Sequence, residues 1–313
     1  MGVKIDFLKN PRSEYPEAIE NYIILAVKRA FNPIGHIDFL FGLTNDAKSM
    51  KESLDIINKF NKKIIAERKV LYQQNKCNNE SNLKNRNKNL AFLDLLLSYQ
   101  ETDNFTDEEI EEEVNTFMFG GQDTTSLTIT YTLLAIGNHP NVQKRLQEEI
   151  DSIYQGDERP ITSEDLSKMV YMDRVIKETL RVYYFVPFMS RTLVEDIEID
   201  GFLIPKDVTV IISMHDLHHD PEIYPEPEKF DPDRFLPEVT AKRHPYAYIP
   251  FSAGPRSCIG QNFGLKNTKT ILAYILRKFN ITCLEKPEDI KKAYEIVLKP
   301  LSGLKVKLEK RHA

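Results

Sequence analysis

The spacing of apolar and polar residues predicts that helices dominate the first part of the chain. Over residues 15–72, apolar positions recur at mixed intervals of three and four with basic residues between them, which is the period of an amphipathic helix. Residues 73–89 are dense in Asn and Lys and contain a single leucine, Leu83. Such a solvated segment predicts a mobile loop between helices. The apolar helical pattern resumes over 91–99.

The next apolar run predicts one long helix. Thr106 and Glu109 have the spacing of a capping box, in which a hydroxyl and a carboxylate satisfy backbone amides of the first turn. The acidic residues that follow Thr106 suit the positive end of the helix dipole. The helix can continue to about Asn138, because Pro140 follows, which gives about 30 residues or roughly 45 Å.

Beyond this helix the pattern becomes mixed. Helices are predicted at about 141–154, 163–169, 171–183 and 259–278. Alternating and β-branched residues between Thr192 and Met214 predict short strands, and 294–298 with 303–309 resemble a hairpin. The predicted fold class is therefore mainly α with minor β. No change of composition marks a linker, so residues 1–313 are expected to form a single domain.

Composition narrows the class of protein without identifying it. Hydrophobic residues make up 41% and charged residues 28% of the 313 residues, which is typical of a globular chain that buries a core. A net charge of -5 gives no basic footprint for nucleic acid. Three cysteines are too few for a disulfide framework. No apolar run approaches the ~18 residues of a membrane span.

The strongest chemical signal is the segment from Phe251 to Gly260. Most lone cysteines are structural, but Cys258 stands at the entry to a predicted helix, where free N–H groups and the dipole favour a thiolate. Gly254 and Gly260 leave room for a flat ligand beside the backbone. Arg256 offers a planar fork for a carboxylate. The two glycines are spaced one residue too far apart for a phosphate-binding loop, and no Lys-Ser/Thr pair follows them.

A second signal lies in the middle of the predicted long helix. Gly120 and Gly121 are followed by Gln122, Asp123 and Thr124. Glycine inside a helix costs about 1 kcal/mol relative to alanine, and Asp and Thr side chains compete for backbone groups. Because apolar residues continue on both sides, a helix with a functional irregularity is favoured over a helix end.

The third signal joins two distant segments. Glu178 and Arg181 are three residues apart and share one helix face, and Arg234 follows in a Phe-Asp-Pro-Asp-Arg-Phe stretch. Considered alone, such charges are mostly solvated.

Three histidines lie close together in the sequence: His215, His218 and His219. They suit a polar turn after a strand, and a metal cluster is the less favoured interpretation.

The segment from Phe251 to Gly260 matches Phe-x-x-Gly-x-Arg-x-Cys-x-Gly at every fixed position, and so resembles the haem-binding signature of the cytochrome P-450 family. The resemblance implies the C-terminal part of that fold, with a long central helix over the haem and small β-sheets. It implies haem b, with Cys258 as the axial thiolate ligand of the iron. Arg256 is then a propionate partner, and Phe251, Gly254 and Gly260 are haem-binding residues.

The same resemblance assigns roles to the other signals. Gly120 and Gly121 leave room for the macrocycle and for oxygen. Asp123 and Thr124 match the acid–alcohol pair that delivers protons to dioxygen, a general-acid role. Arg191 stands where many members place a second propionate partner. A buried charge triad that locks the segment under the haem-binding loop is implied for Glu178, Arg181 and Arg234.

The resemblance covers nearly the whole chain, most closely residues 91–309, and points to the fatty-acid hydroxylase branch known as family 4, in its insect form. Gly120 stands where many members carry a glutamate that becomes ester-linked to haem, so non-covalent haem is expected. Gln122 replaces a frequent histidine. The first residues, from Met1 to Lys4, resemble an internal stretch of the family, so an N-terminally truncated form without the membrane anchor is expected.

The implied function is a monooxygenase that inserts one atom of dioxygen into an apolar substrate such as a fatty acid, terpenoid, hormone or xenobiotic. No dinucleotide or flavin motif is recognisable, so electrons are expected from an NADPH-dependent flavoprotein reductase. Full-length members lie at the cytosolic face of the endoplasmic reticulum membrane, whereas a chain without an anchor is compatible with the cytosol. Two alternatives stay open: a non-catalytic truncated remnant, and a reductase-independent isomerase or peroxygenase, against which the Asp123–Thr124 pair argues.

Overall fold

The computed structural model of the chain describes residues 1–3, 13–78, 90–103 and 105–311. Its backbone contacts divide the chain into two compact units, Met1–Gln122 and Asp123–Ala313. The single domain expected over residues 1–313 therefore stays a prediction.

Helices make up the first unit. α1 (Glu14–Phe31) packs against α3 (Asn45–Asn78), and the rings of Tyr15 and Phe60 stack with their centroids 4.0 Å apart. A short 3-10 turn and α2 (Asp38–Gly42) lie between the two helices. The helical stretch predicted over 15–72 is thus interrupted, because the turn begins at Pro33, whose ring nitrogen cannot donate a helical hydrogen bond.

The helix α3 extends further than the sequence predicted. It includes residues 73–78, so the expected loop does not begin at residue 73. Gln and Lys have good helix propensity, and adding a residue to an existing helix costs much less than starting one. Residues 79–89 lie outside the described residues, and the mobile loop there stays a prediction.

The long helix is α5 (Asp107–Asn138), which begins in the first unit after α4 (Phe92–Thr102). Its capping box is confirmed, because the Thr106 amide donates to the Glu109 carboxylate at 2.7 Å and the Glu109 amide donates to Thr106 Oγ1 at 3.1 Å. The helix spans 32 residues and continues through the paired glycines.

The second unit contains the rest of α5 and six further helices among its described residues. They are α6 (Pro140–Tyr154), α7 (Ser163–Lys168), α8 (Val170–Val182), α9 (Met214–His219), α10 (Pro237–Thr240) and α11 (Gln261–Lys278). The four helices predicted beyond α5 correspond to α6, α7, α8 and α11, with small shifts of their bounds. The short helices α9 and α10 were not predicted. One core cluster joins α5, α6, α7, α8 and α11, and its least exposed members include Leu134, Leu146, Ile150, Val175, Ile176 and Leu272. Full burial of each such side chain contributes about 1.5–3 kcal/mol to folding.

The strands of the second unit form small antiparallel pairs. They are β1 (Phe188–Thr192) with β4 (Thr209–Ser213), β2 (Ile197–Ile199) with β3 (Phe202–Ile204), β5 (Phe279–Cys283) with β8 (Val306–Lys310), and β6 (Lys292–Glu295) with β7 (Val297–Pro300). The hairpin predicted from 294–298 and 303–309 is wrong. The turn falls instead at Ile296, whose φ is 65°, a conformation that a β-branched residue rarely adopts and that the sequence does not signal.

The predicted fold class, mainly α with minor β, is confirmed by these helices and by the two-stranded sheets. The long α5 and the small sheets of the second unit agree with the architecture that the resemblance implied. In the described ranges, no helix combines the length and the apolar character needed to cross a membrane.

Candidate functional site

The segment from Phe251 to Gly260 forms a hydrogen-bonded loop ahead of α11. The Cys258 amide donates to the Phe251 carbonyl at 2.9 Å, and the Ser257 amide donates to the Gly254 carbonyl at 3.0 Å. Gly254 has φ 79°, in the left-handed region that glycine adopts without strain. The loop therefore returns on itself and delivers Cys258 to the entry of the helix.

The thiol of Cys258 is free and exposed. It lies just ahead of the N-terminus of α11, and helix N-termini carry free N–H groups and the positive end of the helix dipole. Gly260 has φ -82°, and an added Cβ there would lie 3.8 Å from Cys258 Sγ, an ordinary contact. The chain itself therefore does not demand glycine at this position, and the glycine leaves space beside the exposed thiol.

Two arginines lie at or beside this loop. Arg256 is exposed and makes no hydrogen bond or ion pair with any residue that the structure describes. Arg191 of β1 donates from Nη2 to Ser252 Oγ at 3.3 Å and from Nη1 to the Ser190 carbonyl at 2.8 Å. The structure thus brings the guanidinium of Arg191 to the cysteine loop, where two cations can meet the carboxylates of a bound ligand.

Asp123 and Thr124 begin the part of α5 that belongs to the second unit. Asp123 Oδ2 lies 2.8 Å from Nζ of Lys299 on β7, and the same ammonium lies 3.6 Å from Oε2 of Glu295. Asp123 and Lys299 also line a cleft of about 340 Å³ with apolar and hydroxyl side chains that include Ser126, Leu127, Thr130 and Leu304. The acid of the predicted acid–alcohol pair therefore has a cation as its partner.

The helices that carry the two motifs meet near these residues. An added Cβ at Gly264 of α11 would lie 3.8 Å from Oγ1 of Thr125. Thr125 follows Thr124 directly, and Gly264 lies six residues after Cys258. Gly120 belongs to the first unit, and a Cβ added to it or to Gly121 would meet no heavy atom within 4 Å. Among the residues that the structure describes, both positions therefore have open space where a side chain would begin.

The three charges predicted to form a triad are together. Arg181 binds Glu178 through two hydrogen bonds of 2.8 Å, and both side chains are fully buried. Arg234 Nε lies 3.5 Å from Glu178 Oε1, which also accepts the Asp231 amide at 2.9 Å. Burial raises the pKa of Glu178, whereas the two hydrogen bonds from Arg181 favour its ionised form.

The sequence model of the cytochrome P-450 family matches residues 1–308. The chain belongs to the cytochrome P-450 family. Three of its relatives are each 40% identical to it: cytochrome P-450 4V2 of Mus musculus over 320 residues, cytochrome P-450 4c21 of Blattella germanica over 315, and cytochrome P-450 4c3 of Drosophila melanogaster over 322. The alignments cover 100%, 100% and 99% of this chain and 60%, 63% and 60% of those relatives.

The predicted resemblance to the family 4 branch of the cytochromes P-450 is confirmed, and insect and mammalian members match at similar identity. Membership implies a haem held through a cysteine thiolate, with dioxygen and a redox partner in its chemistry. The chain spans about 60% of the length of the mouse and Drosophila relatives. The activity, substrate and partner of the whole protein are therefore matters of proposal.

Asp233 directly precedes the triad residue Arg234 of this cytochrome P-450, and sequence reasoning missed the two arginines that bind it. Arg145 binds the Asp233 carboxylate at 3.0 and 3.1 Å, and Arg174 binds it at 2.8 Å. The hydrogen bond from Arg145 is the main reason that the pKa of Asp233 is lowered. The Asp-Pro-Asp-Arg stretch at 231–234 showed a carboxylate in need of a partner, but the sequence did not show which arginines would reach Asp233.

Lys299 and His218 were also missed. Lys299 pairs with Asp123 across 176 positions of sequence, a distance at which spacing carries no information. His218 was interpreted as part of a polar turn, yet its side chain is fully buried and its Nε2 accepts a hydrogen bond from the Ile249 amide at 3.2 Å. The apolar residues on the same face of the short helix, such as Met214, were the available signal for burial.

Proposed function

We propose that the chain is the haem-thiolate part of a monooxygenase that inserts one atom of dioxygen into an apolar substrate, with Cys258 as the iron ligand. The observation that carries the proposal is the exposed thiol of Cys258 at the entry to α11, in a loop where the Cys258 backbone amide donates to the Phe251 carbonyl. Family membership supports the chemistry, and the match of the whole Phe251–Gly260 segment supports the choice of cysteine.

The side chains around the loop suit haem b held without a covalent link. When bound, haem supplies the iron that activates dioxygen. Cys258 supplies a thiolate stabilised by the helix N-terminus, and Arg256 and Arg191 supply cations for the two propionates. Gly120 has no carboxylate that could form an ester, which supports non-covalent binding.

Asp123 and Thr124 are proposed to hold and pass on the protons that dioxygen cleavage consumes. Thr124 supplies a hydroxyl, and Asp123 supplies a carboxylate that can take up a proton and return it. Lys299 Nζ lies 2.8 Å from Asp123 Oδ2, and this ion pair holds the carboxylate at the edge of the cleft.

The electron donor and the substrate belong to the same proposal. An NADPH-dependent flavoprotein reductase would supply the electrons, because the family implies a separate redox partner. Similarity to the family 4 branch favours an apolar substrate such as a fatty acid, terpenoid, hormone or xenobiotic, and a membrane-associated location at the endoplasmic reticulum.

A pair of cysteine variants tests the iron ligand. The reduced carbon monoxide complex of haem-loaded wild-type chain should show the red-shifted Soret band of thiolate ligation. Cys258→Ala should abolish that band. Cys283→Ala is the matched control, because Cys283 lies on β5, and it should leave the band unchanged. A Cys258→Ala protein that kept the band would refute the assignment.

A further inference from the structure

A buried histidine links the charge triad to the cysteine loop. His218, on α9, has no exposed surface. Its carbonyl accepts a hydrogen bond of 3.0 Å from Nη1 of Arg181, and its Nε2 accepts one of 3.2 Å from the amide of Ile249. One residue therefore contacts the buried ion pair through its backbone, and through its side chain it contacts the segment that leads into the cysteine loop.

The segment that His218 contacts is held at three consecutive residues. Tyr224 donates its hydroxyl to the Ala247 carbonyl at 3.0 Å, and Tyr248 donates its hydroxyl to the Lys177 carbonyl at 2.9 Å. Ile249 donates its amide to His218. The Ala247 amide donates to the His244 carbonyl at 2.9 Å, and His218 is the described partner of the Ile249 amide.

The cysteine loop follows directly from that amide. The Ile249 carbonyl accepts the Ser252 amide at 3.0 Å, and the Phe251 carbonyl accepts the Cys258 amide at 2.9 Å. Two hydrogen bonds thus separate the Ile249 peptide from the backbone of Cys258. A shift of Ile249 would be passed on to the position at which the thiol is presented.

We propose that His218 is a positioning residue of the cysteine loop: as a neutral imidazole it accepts the Ile249 amide and so fixes the start of the segment that presents Cys258. The purpose of this contact rests on the proposed function, whereas the contact itself does not. Because Nε2 is the acceptor, the single ring proton must lie on Nδ1.

The surroundings of the ring keep it neutral. A second ring proton would place an N–H of His218 against the N–H of Ile249. The positive charge of Arg181 and the neighbouring imidazoles of His215 and His219 oppose protonation, and burial opposes it most. The rings of Tyr184 and Tyr248 face the imidazole with centroids 5.1 and 5.3 Å away and offer no negative charge at neutral pH. The acceptor is therefore permanent under physiological conditions.

Hydrogen exchange of the full-length chain tests the proposal. His218→Phe keeps an aromatic ring but has no acceptor, so exchange of the Ile249, Ser252 and Cys258 amides should rise by about tenfold or more relative to the amides of α6. In His218→Gln, the side-chain oxygen reaches the place of Nε2 and should restore most of the protection. His215→Phe, on the exposed side of the same helix, should leave the loop unchanged.

Several results would overturn the proposal. Loop amides that exchange at the wild-type rate in His218→Phe would do so, as would equal loosening of the loop and α6, or a His218→Gln variant no better than His218→Phe. If His218→Phe does not fold, the nitrogen chemical shifts of wild-type His218 decide, since the proposal requires the Nδ1–H tautomer and the Nε2–H tautomer contradicts it. Exchange does not depend on iron ligation, so a wild-type chain that lacked the thiolate band would refute the proposed function alone.

Discussion

Lys299 Nζ lies 2.8 Å from Asp123 Oδ2, and the two side chains are 19% and 17% exposed. The carboxylate that precedes Thr124 is therefore held as an ion pair by a strand at the other end of the sequence. Glu295, 3.6 Å from the same ammonium, offers Lys299 a second partner. The position of the Asp123 carboxylate therefore depends on a lysine.

Lys299→Met should reduce product formed per NADPH oxidised. Without its cation, Asp123 loses the ion pair that holds its carboxylate in place, so the group proposed to pass protons on is no longer fixed beside the cleft. Lys299→Arg keeps a cation and should retain most of the coupling. Lys307→Met removes a surface lysine paired with Glu309 and serves as the control. Equal coupling in Lys299→Met and Lys307→Met would show that Lys299 has only a structural part.

Thr124→Ala should uncouple the enzyme. Loss of the hydroxyl should lower product formation by roughly a hundredfold, at the lower limit usual for a general acid. Peroxide should rise, while carbon monoxide binding survives. Thr124→Ser keeps the hydroxyl and should recover much of the product. Thr116→Ala, an exposed site on the same helix, is the control. Unchanged coupling in Thr124→Ala would leave Thr124 as an ordinary helix residue.

Acidified organic solvent should extract all of the haem from the wild-type chain. Gly120 has no side chain that could form an ester, and the space around an added Cβ there is open. Gly120→Glu places a carboxylate at the position that the family 4 branch uses, and part of its haem should then stay with the denatured chain. Haem retained by the wild type would contradict this interpretation of Gly120.

Glu178→Gln should lower the free energy of unfolding of the folded chain by about 3–5 kcal/mol, because it leaves the buried charge of Arg181 without its counter-charge. Glu148→Gln removes one partner of an exposed pair with Lys144 and should change stability by less than about 0.5 kcal/mol. Denaturant unfolding of the two variants side by side measures the difference. Equal effects would mean that the buried pair is no more important than a surface pair.

Stability should fall with pH below about 6.5, where histidines of the unfolded chain titrate. Burial, together with nearby His219, Arg181 and His215, lowers the pKa of His218 to about 3. Because the unfolded chain then binds more protons, the contribution of neutral His218 is complete above about pH 6.5 and is lost as the pH falls towards 3.

The expected slope is up to about 1.4 kcal/mol per pH unit for each such histidine. The pKa of His219 is also lowered, mainly by burial, and adds to the slope. Urea unfolding at pH 7, 6 and 5 measures it, and His218→Gln should give a flatter profile than wild type. A profile of unchanged steepness would show that His218 does not carry this linkage.

Local chemistry made much of the fold predictable. The capping box at Thr106 and the long helix that it begins depend on residues a few positions apart, and both are present. The hairpin turn at Ile296 was missed because a tertiary fit holds the residue in a conformation that its own preference opposes. The extent of α3 was missed because composition was weighed above propagation of a helix.

The residues of the candidate site also differ in whether the sequence alone identifies them. Cys258 could be found because its loop is a contiguous motif with recognisable chemistry. The partners Lys299 and Arg145 could not, since only the folded chain selects which of 42 basic residues reaches a given carboxylate. His218 was visible as a residue, but its burial follows from the packing of distant tyrosines.

The ionic anchor at Asp233 has a consequence for the order of folding. Its partners Arg145 and Arg174 lie 88 and 59 positions earlier in the sequence, so these bonds close long loops and form only after α6 and α8 have docked. The segment that leads from Asp233 to Cys258 is tethered by those bonds. We therefore expect the cysteine loop to take its final form after these helices have docked, so that haem supplied earlier would meet a loop still without its native hydrogen bonds.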